Sequence, residues 1–395
     1  MMNPKTTCPQ QTTIREVTTD VSTQARHEPS QAGRQLSLLA AYDGIVCDLD
    51  GVVYRGAAGI GDAIEALNTV LTEQDPQLVF ATNNASRSAQ VVADQLVSLG
   101  LPVTAAQVAT SAQAGAAYLR RELGVGARVL AVGGEGVAVA LTQQNLHAVR
   151  PSELAPPDTV VGVLQGWGWE VSLRDLAAAC GAIADGAVWV ATNTDLTLPV
   201  EGGFIPGNGT LVGAVATASG TEPIVVGKPH APLYEHAAEV LGIPAARVLA
   251  IGDRLDTDIA GAAAAGMDSV WVLTGVHGFR ELARSSTVPT VALASLSGLH
   301  HPRIDVCRAG DTWRAGPVDI TLQDDSTVVV SRARSGADPL LWANAVAAVG
   351  LAVVLSLRGD GADSPDAVAG GDSELTTIAA AFDSALQEAQ APREQ

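Results

Sequence analysis

Cysteine is scarce and scattered in this chain. Cys8, Cys47, Cys180 and Cys307 are the only four, they form no CxxC pair, and their spacing supports no disulfide framework. Reduced thiols in a cytoplasmic protein are expected. Positive charge is also short: 23 Lys and Arg against 42 Asp and Glu leave a net charge of −19. Such a field repels nucleic acid and anionic lipid, so neither is an expected partner, and an anionic substrate has to be captured by local cations. Long apolar runs are missing too. The longest, around residues 342–357, is interrupted by Asn344 and falls short of a membrane span, so no transmembrane helix is expected. The opening "MMNPKTTCPQQTTIREVTTD" lacks the apolar core of a signal peptide, and residues 1–36 read as a disordered extension rich in Thr and Gln.

What remains is a chain of 395 residues, 47% of them hydrophobic, long enough for two or three cores. From residue 41 short apolar runs alternate with Ala-rich helical segments, the pattern of a doubly wound, Rossmann-like parallel α/β sheet. "GIVCDLD" and "QLVFATNN" read as strands, with a helix in "AIEALNTVL" between them. "SAQVVADQLVSLG" spaces its apolar residues helically and stops at glycine. The rhythm returns in "PIVVGK", "RVLAIGD" and "SVWVLTG". Residues 37–104 and 223–303 are therefore expected to form one core. Residues 105–222 carry strands and helices of their own, too many for a loop, and read as an inserted α/β domain. Residues 304–395 read as a small α+β region.

Ligands of open parallel sheets bind at the carboxyl ends of the strands. Four predicted strand ends carry polar groups: Asp48 and Asp50; Thr82 and Asn83; Lys228; and Asp253 followed by Asp256 and Asp258. Each has an ordinary structural explanation on its own. The acidic pair suits a strand-end turn, Thr82 a helix N-cap, Lys228 an exposed strand end, and "GDRLDTD" an acidic turn before a helix. Their conjunction, in this order, points to a shared site.

With "DLDGV", "FATNN", "GKP" and "GDRLDTDI" in this order, residues 41–300 resemble the phosphatases of the haloacid dehalogenase superfamily, and the insertion is similar to their class II cap. The resemblance implies phosphate ester hydrolysis. Asp48 is then the nucleophile that takes the phosphoryl group as an aspartyl-phosphate. Asp50 protonates the leaving alkoxide and later activates water. Thr82, the amide of Asn83 and Lys228 hold the phosphate oxygens. The implied cofactor is Mg²⁺, bound by Asp48, the backbone carbonyl of Asp50 and Asp253, with Asp258 as an outer partner; Mn²⁺ accepts the same oxygen ligands.

The resemblance leaves substrate choice to the cap, where Trp167, Trp169, Asn193 and Asp195 are the candidate specificity residues. "GNGT" (207–210) reads as a turn into a helix and not as a phosphate loop. The C-terminal region is similar to a fragment of the GCN5-related acetyltransferase fold, a combination that resembles bacterial glycerol-3-phosphate phosphatases of glycerophospholipid recycling. The implied partner is a small phosphorylated metabolite. "RARSGA" (332–337) departs from the acetyltransferase loop, with Ser335 in place of a glycine, so a packing or self-association role is expected there. Alternatives are a phosphatase for 2-phosphoglycolate, pyridoxal phosphate or a sugar phosphate, a phosphotransferase, and a ligand-binding protein without turnover.

Overall fold

A computed structural model of the chain describes residues 17–18, 37–73, 76–154, 158–200, 202–316, 318–324, 327–332, 339–358 and 373–390. The chain forms two compact units, one of residues 39–270 and one of residues 1–38 with 271–395. The expected N-terminal disorder and the "ARSGA" loop lie outside the described residues, apart from the two-residue strand Val17–Thr18.

Within residues 39–270, strands Val248–Gly252, Gly44–Cys47, Gln77–Thr82 and Val108–Thr110 lie side by side in that order, all parallel. Nearly every residue in them is buried, which explains why their sequences are continuous apolar runs without alternation. Helices Gly61–Glu73 and Ala89–Ser98 make the crossovers. Ser88 caps the latter by accepting from the Val91 N–H. The first strand sits inside the sheet, flanked on both sides.

A second parallel sheet runs Ile224–Val225, Val188–Ala191, Gly162–Gln165, Arg128–Val132, His147–Val149. Helices Leu173–Ala184 and Asn208–Ser219 cover the face that buries Trp189, Ala191 and Val163. Sheet membership moves the boundaries inferred from sequence. Val108–Thr110, placed in the insertion, pairs with Gln77–Thr82, and Ile224–Val225, placed in the core, pairs with Val188–Ala191. Runs of two or three residues carry no period that could assign them to either sheet.

Helix Ser111–Leu123 connects the two layers. Thr110 and Gln113 form a reciprocal capping box at its start, and Gly124 ends it at φ 86°. Its small residues allow close approach: a Cβ on Gly115 would lie 2.6 Å from Leu164 Cδ1. One buried apolar cluster therefore runs from Val46, Val79 and Ala109 through Leu119 to Leu164, Val190 and Val226.

In the other unit, strands Val306–Ala309, Thr312–Ala315, Val318–Asp324 and Thr327–Arg332 form an antiparallel meander. Helices Pro339–Arg358 and Ser373–Gln390 follow it. Residues from Trp271 on group with the two long helices in this unit. Phe279 makes tilted or edge contacts with Trp271 and Phe382 at 5.5 and 5.6 Å. Asp383 accepts from the Phe279 N–H at 2.7 Å, capping helix Phe279–Arg284 from outside. Among the described residues no helix is long and apolar enough to cross a membrane, and Cys47, Cys180 and Cys307 are unpaired thiols.

Candidate active site

Parallel pairing brings the predicted residues to one edge of the first sheet. Cys47 pairs with Ile251 on one side and Phe80 on the other, so Asp48, Thr82 and Asp253 leave neighbouring strands at the same carboxyl end. The Asp48 N–H donates to Ile251 O at 2.8 Å, which fixes the nucleophile candidate against the next strand. Asp258 arrives from the wide turn Leu255–Ile259, where its Oδ2 accepts from the Arg254 N–H at 3.1 Å. One carboxylate oxygen from each of Asp48, Asp253 and Asp258 lies within 4.8 Å of the others. Asp258 therefore belongs to the same carboxylate cluster as the two residues expected to bind metal directly.

Such proximity needs backbone without side chains around it. Gly51 has φ +83°, and a Cβ there would stand 2.5 Å from Asp253 Oδ2. Glycine after the acid pair therefore does two things: it turns the chain and leaves the Asp253 carboxylate its space.

Lys228 follows strand Ile224–Val225 of the second sheet and is 3% exposed. Its ammonium contacts Asp48 Oδ1 and donates to Asp258 Oδ1 at 2.8 Å. Burial alone would lower its pKa, but Asp258 and then Asp48 outweigh it and hold the group well above its ordinary value. It stays charged. Burial and the negative charge of Asp258 push the Asp48 carboxyl up, with Lys228 pulling the other way. Three carboxylates converge on one ammonium in a mostly buried site. Such an all-oxygen donor set fits a hard divalent cation.

Asp50 opens toward solvent, yet the protein around it raises its carboxyl above the usual range, with Arg87 as the main opposing influence. A carboxyl shifted upward is suited to giving a proton. Thr82 is buried, and its Oγ1 accepts from the Asn84 N–H at 3.1 Å, leaving its O–H to donate. It is not the N-cap of the next helix; Ser88 is.

The Asn83 side chain turns to the Lys228 main chain and to Asp195. Its Oδ1 accepts from the Lys228 N–H at 2.8 Å, and its Nδ2 donates to Lys228 O at 3.2 Å and Asp195 Oδ2 at 3.3 Å. Only its main-chain N–H remains for a phosphate. From the insertion, Asn193 Nδ2 donates to Asn83 O at 2.8 Å and Asn193 Oδ1 accepts from the Asp195 N–H at 3.2 Å. Asn193 and Asp195 thus meet the site directly. Trp167 and Trp169 contact each other edge-on at 4.9 Å, and Trp167 Nε1 donates to Pro206 O at 3.0 Å. Trp169 is 73% exposed. "GNGT" starts helix Asn208–Ser219, as expected, with buried Asn208 donating to Asn193 O at 2.8 Å.

Two neighbours of the site escaped the sequence reading. Arg87 faces Asp50 and Tyr54 from a loop with no periodic signal. The Tyr234 ring lies 5.9 Å from Lys228 Nζ, in space that Gly261 leaves open: a Cβ there would meet the ring at 2.6 Å. Tyr234 reads in sequence as one more apolar helix position.

Known proteins share both sequence and fold with this chain. The family described as Haloacid dehalogenase-like hydrolase matches residues 45–147, and the HAD-hydrolase-like family matches residues 225–299. A D-glycerol 3-phosphate phosphatase of Mycobacterium tuberculosis is 43% identical over 266 residues, covering 67% of this chain and 72% of the relative. A 5′-nucleotidase of Bacillus subtilis is 34% identical over 66% of this chain and 98% of its own length. Among solved structures, a glycerol phosphate phosphatase from Mycobacterium tuberculosis in complex with magnesium superposes with a TM-score of 0.64. It shares 37% identity, over 80% of this chain and 92% of that one. Carboxylates gathered at the strand ends of a doubly wound sheet, with relatives that hydrolyse phosphate esters, place this chain in the haloacid dehalogenase-like hydrolases as a phosphatase.

Proposed function

We propose that the protein is a Mg²⁺-dependent phosphomonoesterase that hydrolyses glycerol 3-phosphate to glycerol and inorganic phosphate through a phosphoaspartate. The observation that carries this reading is the contact of Lys228 with both Asp48 and Asp258, beside Asp253. An Asp48 oxygen attacks phosphorus in line as the ester P–O bond breaks. Asp50 gives its proton to the departing alkoxide, then takes one from the water that attacks the phosphoaspartate and frees Asp48. Lys228, the Thr82 hydroxyl and the Asn83 main-chain N–H hold the non-bridging oxygens and offset their charge. Asp48, the Asp50 carbonyl and Asp253 would hold Mg²⁺, with Asp258 beside them; the ion neutralises phosphate charge when bound.

The choice of glycerol 3-phosphate rests on the relatives that bear that activity in their names. Unpaired, scattered thiols fit a cytoplasmic setting for it. For residues 304–395 the reading is a packing or assembly role. Phosphate release, with and without Mg²⁺, from both enantiomers of glycerol 3-phosphate, 2-phosphoglycolate, pyridoxal 5′-phosphate, sugar phosphates and a nucleoside monophosphate tests the proposal. Preference for one glycerol 3-phosphate enantiomer is expected. Preference for another ester overturns the substrate and keeps the chemistry, and no release from any ester overturns the mechanism.

A further inference from the structure

We propose that Asn83 is a positioning residue whose carboxamide couples the placement of Lys228 to the seating of the 193–195 loop of the inserted domain. The reading of Lys228 as a phosphate ligand is its premise.

One side chain holds both main-chain polar groups of Lys228. Oδ1 accepts from its N–H at 2.8 Å and Nδ2 donates to its C=O at 3.2 Å, which fixes the height and rotation of the segment that carries the ammonium. The same Nδ2 is shared with Asp195 Oδ2 at 3.3 Å. The Asn83 main-chain oxygen accepts from Asn193 Nδ2 at 2.8 Å and from Ser111 Oγ at 2.7 Å. Asn193 O in turn accepts from Asn208 Nδ2, at the start of helix Asn208–Ser219. A continuous hydrogen-bonded path therefore links that helix, the 193–195 loop, the end of strand Gln77–Thr82 and Lys228.

Gly227 completes the fit. A Cβ there would lie 2.7 Å from Asn83 Oδ1 and 2.2 Å from Thr192 O, so the Lys228 segment can approach both partners only because no side chain precedes it. A carboxamide is the one side chain that supplies both an acceptor for Lys228 N–H and donors for Lys228 C=O and the Asp195 carboxylate. If the loop lifts, Nδ2 loses Asp195; if Asn83 turns, Lys228 loses both its main-chain partners. Lys228 is thus set in place for the reaction when the loop is seated over the site.

The test exchanges the hydrogen-bond polarity. Asn83→Asp keeps the acceptor for Lys228 N–H but sets a carboxylate against Asp195. Asp195→Asn returns a donor to that contact, so the double variant restores the pair with its direction reversed and the net charge unchanged. With glycerol 3-phosphate and p-nitrophenyl phosphate as probes, Asn83→Asp is expected to lower kcat about 100-fold, the scale of losing an oxyanion-stabilising group. Asp195→Asn alone is expected to cost about 3- to 10-fold, and the double variant to recover about 10-fold over Asn83→Asp. A merely structural role would give multiplicative losses and no recovery. Losses that multiply, or an Asn83→Asp enzyme with wild-type kcat, overturn the proposal.

If Asn83→Asp does not fold, Asp195→Ala carries the test: kcat falls about 3- to 10-fold if the coupling is real, and an unchanged kcat refutes it. Lys228→Met separates premise from inference. An active Lys228→Met enzyme removes the premise, whereas an inactive one beside multiplicative Asn83 and Asp195 losses removes only the coupling.

Discussion

Replacing Gly51 by alanine places a methyl carbon 2.5 Å from Asp253 Oδ2 and 2.7 Å from its Cγ, on a backbone with φ +83°. The left-handed conformation costs a residue with a Cβ about 1–2 kcal/mol, and forced overlap in a packed site about 1–3 kcal/mol more. A total of about 2–5 kcal/mol corresponds to a melting-temperature drop of roughly 4–20 °C for a unit of this size. The molecule can avoid part of that cost only by moving the Asp253 carboxylate, which then leaves its place beside Asp48 and Asp258. Stability or turnover must therefore fall, and the two losses trade against each other. Thermal melts and phosphate-release kinetics on the same preparation measure both. Removing the carboxylate isolates the overlap: in an Asp253→Ala background the cost of Gly51→Ala should shrink to the backbone share, about 1–2 kcal/mol. A Gly51→Ala enzyme with wild-type melting and turnover, or an equal stability cost with and without the Asp253 side chain, would refute the reasoning.

Asp48→Asn is nearly isosteric and should abolish turnover while circular dichroism stays unchanged; residual wild-type activity would remove Asp48 as nucleophile. Mg²⁺ should raise the melting temperature by binding the folded state, and the rise should vanish in Asp253→Asn. Asp383→Ala removes the cap on helix Phe279–Arg284 and should cost about 1–2 kcal/mol in a urea melt, whereas Asp383→Asn keeps a capping side chain. Burial raises the Asp383 carboxyl above its ordinary range, so its ionisation favours the unfolded chain as pH rises through that folded value. Asp383→Asn should accordingly gain stability over wild type at neutral pH and lose that advantage at pH 3, below the unfolded value of about 3.9.

Much of the site was legible because its chemistry is local. "DLDG" and "GDRLDTD" announce themselves as acidic groups at the ends of apolar runs, and parallel pairing alone then brings them together. The sheet boundaries were less legible: Val108–Thr110 and Ile224–Val225 acquire their membership from partners far along the chain. The role of the Asn83 side chain was hidden for the same reason, since its partners Asp195 and Lys228 are 112 and 145 positions away. Arg87 had no periodic neighbours to place it. Phe279 was assigned no role because the aromatic and acidic groups that hold it belong to a helix more than a hundred residues downstream.

The apolar cluster that runs from Val46 through Leu119 to Val190 bears on how this unit comes apart. An insertion whose side chains interleave with those of its host cannot melt alone without stripping cover from strands Gly44–Cys47 and Gln77–Thr82. Residues 39–270 should therefore behave as one cooperative foldon: amide protons in Gly162–Gln165 and Val188–Ala191 should exchange with the same opening free energy as those in Val248–Gly252. The chain passes between core and insertion twice, but the unit of unfolding is set by the shared interior.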